Sequence, residues 1–239
     1  MTIRIGVPME TVGGERRVAL VPDGVKLLMR GGGATVAVQC GAGRAAGFAD
    51  AAYRDAGATL VADAADVLGA SDVVVKVQRP TPEEAALVVE GTVLVSLMGS
   101  GAAAAALPPV LAARRITWLA LERVPRITRA QSMDVLSSQS TVAGYKAVLL
   151  AASTLPRMFP MLTTAAGSIA PSRAFVLGAG VAGLQAIATA RRLGAVVSAF
   201  DVRPAAREQV QSLGASFVAA ETVTASAEAA GGYARAQSD

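Results

Sequence analysis

Along the chain, short runs of β-branched and aliphatic residues alternate with stretches in which apolar residues recur at helical spacing. IRIGVP (3–8), ATVAVQC (34–40), TLV (59–61), DVVVKV (72–77), TVLVSLM (92–98) and ITWLALE (116–122) read as strands. Between them, PDGVKLLMRGG (22–32), DAAYRDAG (50–57), DAADVLG (63–69), TPEEAALV (81–88) and a segment near 103–114 read as helices. Local punctuation supports the boundaries. Pro22 sits in a first turn, Gly31 and Gly57 close helices, and Thr81, Pro82 and Glu84 form a capping-box pattern. DVVVKV is nearly all apolar, as suits a central parallel strand buried on both faces. Strands spaced by helices imply right-handed crossovers and a parallel sheet.

This alternation breaks at RAQSMDVLSSQ (129–139), where polar residues crowd together in an otherwise alanine-rich chain. No low-complexity linker marks a boundary, so the polar cluster places it: a first domain over 1–125 and a second over 126–239. The second block opens with a helix expected over 140–152. A strand (173–177), a glycine turn, a helix and a second strand ending at 201 follow. AAREQVQSLG (205–214) then reads as a helix and ASFVAA (215–220) as a strand. The fold class is α/β, with two Rossmann-like parallel-sheet domains, the first of flavodoxin-like kind.

The glycine turn carries the most chemistry. VLGAGVAG presents G-x-G-x-x-G at Gly178, Gly180 and Gly183, directly after an apolar strand and opening a helix. Gly178 permits the tight turn, Gly180 lets backbone approach a pyrophosphate, and Gly183 lets helix and strand pack closely. Ala179, Val181 and Ala182 complete the loop, whose helix N-terminus offers unpaired N–H groups to phosphates. Asp201 ends the next strand about 20 residues on, where an acid accepts from the adenosine ribose hydroxyls. Val202 and Arg203 follow it. A carboxylate there repels a 2′-phosphate and favours NAD(H), whereas an arginine such as Arg203 can hold one. The bland alternative is three glycines that merely shape a packed turn.

Composition removes several chemistries. The chain has no histidine, and Cys40 is its one cysteine. A zinc site and a Ser-His-Asp or Cys-His device are therefore not expected, nor is an internal disulfide. Net charge is +4, but the arginines are scattered in pairs at most, so no nucleic-acid partner is expected. MTIRIGVPME lacks the apolar core of a signal peptide. The longest apolar run, 96–113, is interrupted by Gly99, Gly101, Pro108 and Pro109. No direct membrane insertion is expected, and any membrane link is expected to run through a partner.

Three segments together, RITRAQSMDVLSSQSTVAGYKAVLLAA, VLGAGVAGLQAIATARRLGAVVSAFDVRP and EQVQSLGASFV, closely resemble the NAD(H)-binding component of proton-translocating nicotinamide nucleotide transhydrogenases. That component, the first domain of the alpha subunit, shares a superfamily with alanine dehydrogenases. IGVPMET, GERRVALVPDGVKLL and DVVVKVQRP extend the resemblance over nearly the whole chain. It implies that the polar segment lines a cleft between the two domains. Arg126 and Gln131 are then expected on the nicotinamide carboxamide, and Asp134 and Ser137 at the nicotinamide–ribose end. For Ser137, Ser138 and Ser140 the alternative role is capping the helix that follows. The resemblance implies hydride transfer between nicotinamide rings by positioning alone, with no catalytic acid or base. It further implies NADP(H) on a partner subunit, proton movement in separate membrane subunits, a homodimer, and a cytoplasmic place at the inner membrane. It also implies that the second domain is incomplete at its C-terminal side, that GGYARAQSD begins a loop over the site, and that this chain alone binds NAD(H) weakly.

Two other readings follow from the same residues. Arg17 and Lys76 match the substrate-binding arginine and lysine of alanine dehydrogenases, which points to an amino-acid oxidoreductase. That chemistry moves a proton through a histidine near Met98, and this chain has none. The other is a nucleotide-binding or interaction module without turnover.

Overall fold

The computed structural model describes residues 2–219, together with 228–229 and 233–234. Backbone packing divides the chain into two compact units, Met1–Pro125 and Arg126–Asp239.

The first unit alternates strand and helix: β1 (Ile3–Val7), α1 (Pro22–Met29), β2 (Ala34–Gln39), α2 (Asp50–Asp55), β3 (Thr59–Val61), α3 (Ala64–Gly69), β4 (Val73–Val75), α4 (Pro82–Leu87), β5 (Val93–Ser96), α5 (Ala102–Ala113) and β6 (Thr117–Ala120). The six strands form one sheet in the order β3-β2-β1-β4-β5-β6. Every pairing is parallel, with Ile5 level with both Val36 and Val73. Strand order reverses between β1 and β4, which is where an open α/β sheet leaves a crevice at its carboxyl edge. Two apolar clusters make the core, one around Val7, Val36 and Tyr53, the other around Leu68, Leu94 and Leu111. The capping box of α4 forms as expected: the Thr81 hydroxyl accepts from the Glu84 amide at 3.2 Å, and Glu84 accepts from the Thr81 amide at 2.9 Å. Helix α1 stops at Met29, short of Gly31.

In the second unit, residues Thr128–Met133 wind into a 3-10 turn that leads to α6 (Val135–Thr154). Helix α6 starts five residues before the expected boundary. The cause is Asp134, whose carboxylate accepts from the Ser137 amide at 2.9 Å and the Ser137 hydroxyl at 2.7 Å. The cap is thus an aspartate, and none of the three serines holds that position. Ser138 and Thr141 instead donate to helix carbonyls, from Val135 and Ser137 respectively. A short antiparallel hairpin, β7 (Leu162–Thr164) with β8 (Gly167–Ile169), follows. No alternation of apolar and polar residues announces it in the sequence, because all six of its residues are exposed.

The glycine turn lies between β9 (Arg173–Leu177) and α7 (Val181–Arg192), followed by β10 (Val196–Phe200), α8 (Ala206–Ser212) and β11 (Ser216–Phe217). The sheet is parallel, ordered β11-β10-β9. Val148, Ile187, Val197, Ala199 and Val210 form its core. Along β9, Ala174 and Val176 pack against that core, while Phe175 and Leu177 are exposed, Leu177 by 74%. A last pair, β12 (Glu228–Ala229) and β13 (Tyr233–Ala234), is antiparallel. Most of GGYARAQSD, for which a covering loop is expected, lies outside the described residues.

Candidate functional site: the glycine turn and the capped polar segment

Each glycine of the turn has a distinct local reason. Gly178 has φ +89°, in the left-handed region where a Cβ is strained. A Cβ on Gly183 would overlap the Gly178 carbonyl, so the helix can begin this close to the strand only without one. Gly180 is the N-cap of α7 and has open space where a Cβ would point. It supplies no side-chain oxygen to the first-turn N–H groups. The backbone therefore leaves donors and room at the positive end of a three-turn helix, and these features fit a dinucleotide pyrophosphate.

Asp201, the acid at the end of β10, is 6% exposed and bound to the turn itself. It accepts from the Ala179 amide at 2.7 Å and from the Arg203 amide at 2.9 Å. The Arg203 guanidinium grips both carboxylate oxygens, Nε on one and a terminal nitrogen on the other, each at 2.9 Å. Burial works against ionisation, but these donors outweigh it and hold the Asp201 pKa below the usual carboxylate range. Arg203 thus sits on the acid. Val202, between them, is half-buried.

In the polar segment, Arg126 and Gln131 are exposed, and Asp134 and Ser137 are half-buried at the start of α6. The amide and hydroxyl of Ser137, with the charge of Arg126, hold the Asp134 carboxyl below its ordinary pKa. The structure therefore gives the capping role to Asp134, with Ser137 as the donor it holds, where the sequence pattern suggests a serine.

Helices α6 and α7 pack extensively on each other, a contact that no sequence motif announces. Gly144, buried in α6, lies against the Ala182 carbonyl in the first turn of α7, closer than any residue with a Cβ could come. The available signal is a lone glycine in the middle of a helix otherwise rich in alanine.

In the first unit, Lys76 is 2% exposed and its ammonium lies 2.8 Å from Glu84 and 3.8 Å from Glu10. Arg17 donates to both oxygens of Glu15, at 2.8 and 2.7 Å. Gln78 adds a bond to Glu15 at 2.7 Å. The Arg17 side chain leads the causes that lower the Glu15 pKa to about 2. Both cations that resemble an amino-acid substrate site are thus held by carboxylates of this chain. Among the described residues, no His/Cys/Asp/Glu group is arranged to hold a metal, and no helix is long and apolar enough to cross a membrane.

Residues 6–143 match the model of the alanine dehydrogenase/PNT N-terminal domain, and residues 147–234 match that of the C-terminal domain. The chain belongs to the alanine dehydrogenase/PNT family. Over 242 aligned residues it is 50% identical to an NAD(P) transhydrogenase alpha-subunit polypeptide of Rhodospirillum rubrum, covering 98% of this chain and 62% of that protein. Among solved structures, the transhydrogenase from Sinorhizobium meliloti superposes with a TM-score of 0.86 at 48% identity, covering 90% of this chain and 64% of that one. An L-alanine dehydrogenase superposes with a TM-score of 0.76 at 31% identity, covering 90% and 60%. The chain thus spans about three-fifths of the length of these family members. The match with both bears out the α/β, Rossmann-like fold expected from the sequence.

Proposed function

We propose that this chain is the NAD(H)-binding component of a proton-translocating transhydrogenase, passing hydride between NADH and NADP+ held on a partner subunit. The observation that carries the reading is the β9–turn–α7 unit, with open backbone at Gly180 and an ionised acid, Asp201, beside it. The names of the two transhydrogenase relatives support transhydrogenation over other dinucleotide chemistry. In this reading residues 126–239 form the NAD(H) domain and residues 1–125 its Rossmann-like companion.

The turn from Gly178 through Ala179, Gly180, Val181 and Ala182 to Gly183 holds the pyrophosphate on backbone N–H groups. Asp201, flanked by Val202 and Arg203, takes the adenosine ribose. Arg126 and Gln131 hold the carboxamide, with Asp134 and Ser137 at the adjoining ribose. The bound nicotinamide supplies hydride chemistry at its ring carbon. The side chains of this chain bind and orient, and none of them moves a proton, consistent with the absence of histidine. Proton movement belongs to membrane subunits on which a homodimer of this component docks from the cytoplasmic side.

A titration of the chain with NADH, followed by nicotinamide fluorescence, is expected to saturate weakly, and Gly180→Ala is expected to abolish it. Combined with an NADP(H)-binding transhydrogenase subunit, the chain should move hydride between the two nucleotides. Robust alanine-dependent reduction of NAD+ would overturn the proposal in favour of an amino-acid dehydrogenase.

A further inference from the structure

The glycine turn and the polar segment lie far apart in sequence, yet one packing contact joins the elements that carry them. Asp134 caps α6, and Gly144 lies about 15 Å further along the same helix, at a rise of about 1.5 Å per residue. At Gly144 the helix meets the Ala182 carbonyl, one residue from the N-terminal position of α7. Val148, one turn further on, is the other buried residue of α6, and it joins the same core as Ala186 and Ile187 of α7. The crossing is therefore fixed at one end by a backbone contact and at the other by packed side chains. Helix α6 is then a rigid arm, with its capped end at Asp134 and its pivot on the first turn of α7.

We propose that Gly144 is a positioning residue for the dinucleotide: its contact with Ala182 sets the separation between the phosphate-holding turn and the segment that holds the nicotinamide end. The inference rests on the functional reading above and adds a residue that touches no ligand. A methyl group at position 144 overlaps a backbone carbonyl that cannot turn aside without breaking α7. Relief of that overlap moves α6 off α7 by about 1 Å, and a misplacement of about 1 Å can cost on the order of a hundred-fold where it falls on reacting groups. The turn itself is tied to β10, through the Ala179 amide to Asp201 and the Gly178 amide to the Phe200 carbonyl, bonds in which α6 takes no part. Loss of the contact should therefore cost the nicotinamide half of the ligand its affinity and spare the adenosine half.

The test compares NADH with AMP on the full chain, reading amide shifts by NMR so that weak binding is measurable. For the unaltered chain, NADH is expected to bind at least about ten-fold more tightly than AMP. In Gly144→Ala the AMP constant should stay within about two-fold, while the NADH constant rises until the two nearly coincide. Ile187→Val is the control: it thins the same core without wedging the crossing, and should leave the ratio of the two constants unchanged. If Gly144→Ala is not recovered folded, Val148→Ile wedges the same face by one methylene and should narrow the ratio in the same sense. An unchanged ratio in the wedged variant overturns the inference, and so does an equal loss of both ligands. Failure of the unaltered chain to bind either nucleotide would instead remove the functional reading, and the inference with it.

Discussion

The Ala179 amide donates to the Asp201 carboxylate across 2.7 Å, so the acid at the end of β10 is a structural member of the glycine turn. A residue read from sequence as a ribose acceptor has a second task, fixing the loop that faces the phosphates. Asp201→Asn leaves one oxygen for donors that now share two, and leaves the Arg203 guanidinium half-paired. It should cost about 2 kcal/mol, in the range for hydrogen bonds to charged groups, measured by urea unfolding. NADH binding should weaken as well. A variant as stable as the parent would show that the turn does not need the carboxylate.

Gly180 and Gly183 should separate along the same lines. Gly180→Ala meets open space at an ordinary φ of −76°, so stability should change by less than about 1 kcal/mol while NADH binding is lost. Gly183→Ala collides with the Gly178 carbonyl and should lower both stability and binding. Thermal melts beside NADH titrations distinguish the two outcomes.

Lys76 neutralises two carboxylates deep in the first unit. Lys76→Met leaves Glu84 and Glu10 buried without their counter-ion and should cost about 3–5 kcal/mol. Adding Glu84→Gln to that variant should recover part of the loss. Chemical denaturation of the single and double variants reads the difference, and equal stability of the two would contradict the pairing.

Asp134 offers a way to tell capping from ligand contact. Asp134→Ala should destabilise by about 1 kcal/mol through loss of the α6 cap, whereas Asp134→Asn and Asp134→Ser keep it. If Asp134 also contacts the nicotinamide end, the asparagine variant will hold its melting temperature and still lose NADH affinity. Retention of affinity in that variant would confine Asp134 to the cap.

Acid stability should follow Glu15. Its pKa, lowered to about 2 chiefly by Arg17, makes the ionised form the one that favours folding. The contribution is complete above its ordinary value of about 4.5 and is lost as pH falls through about 2. Glu15→Gln should flatten the stability profile across that window and leave the region above about pH 5 with a nearly constant offset. Unfolding midpoints in urea at several pH values check the slope.

Much of this is legible from residue order because the signals are local. The parallel strands, the capping box at Thr81 and the positive φ at Gly178 each depend on a few neighbouring residues. What escapes depends on partners distant in sequence or on competition among similar donors. Nothing near Lys76 indicates that Glu10 lies beside it, since the two meet only when β1 and β4 pair. Asp134 takes the cap ahead of a group of serines, its two carboxylate oxygens accepting separately from the amide and the hydroxyl of Ser137. The approach of Gly144 to Ala182 is a property of two helices, visible in sequence only as an unexplained glycine.

Strand β9 has a handling consequence. Among the described residues its single paired neighbour is β10, so within these residues the other side of β9 is a sheet rim, beside the solvent-facing Phe175 and Leu177. Such a rim is a template for edge-to-edge aggregation. Concentrated solutions of this polypeptide should therefore scatter light sooner than dilute ones, and Leu177→Lys, which puts a charge beside that rim, should delay the clouding.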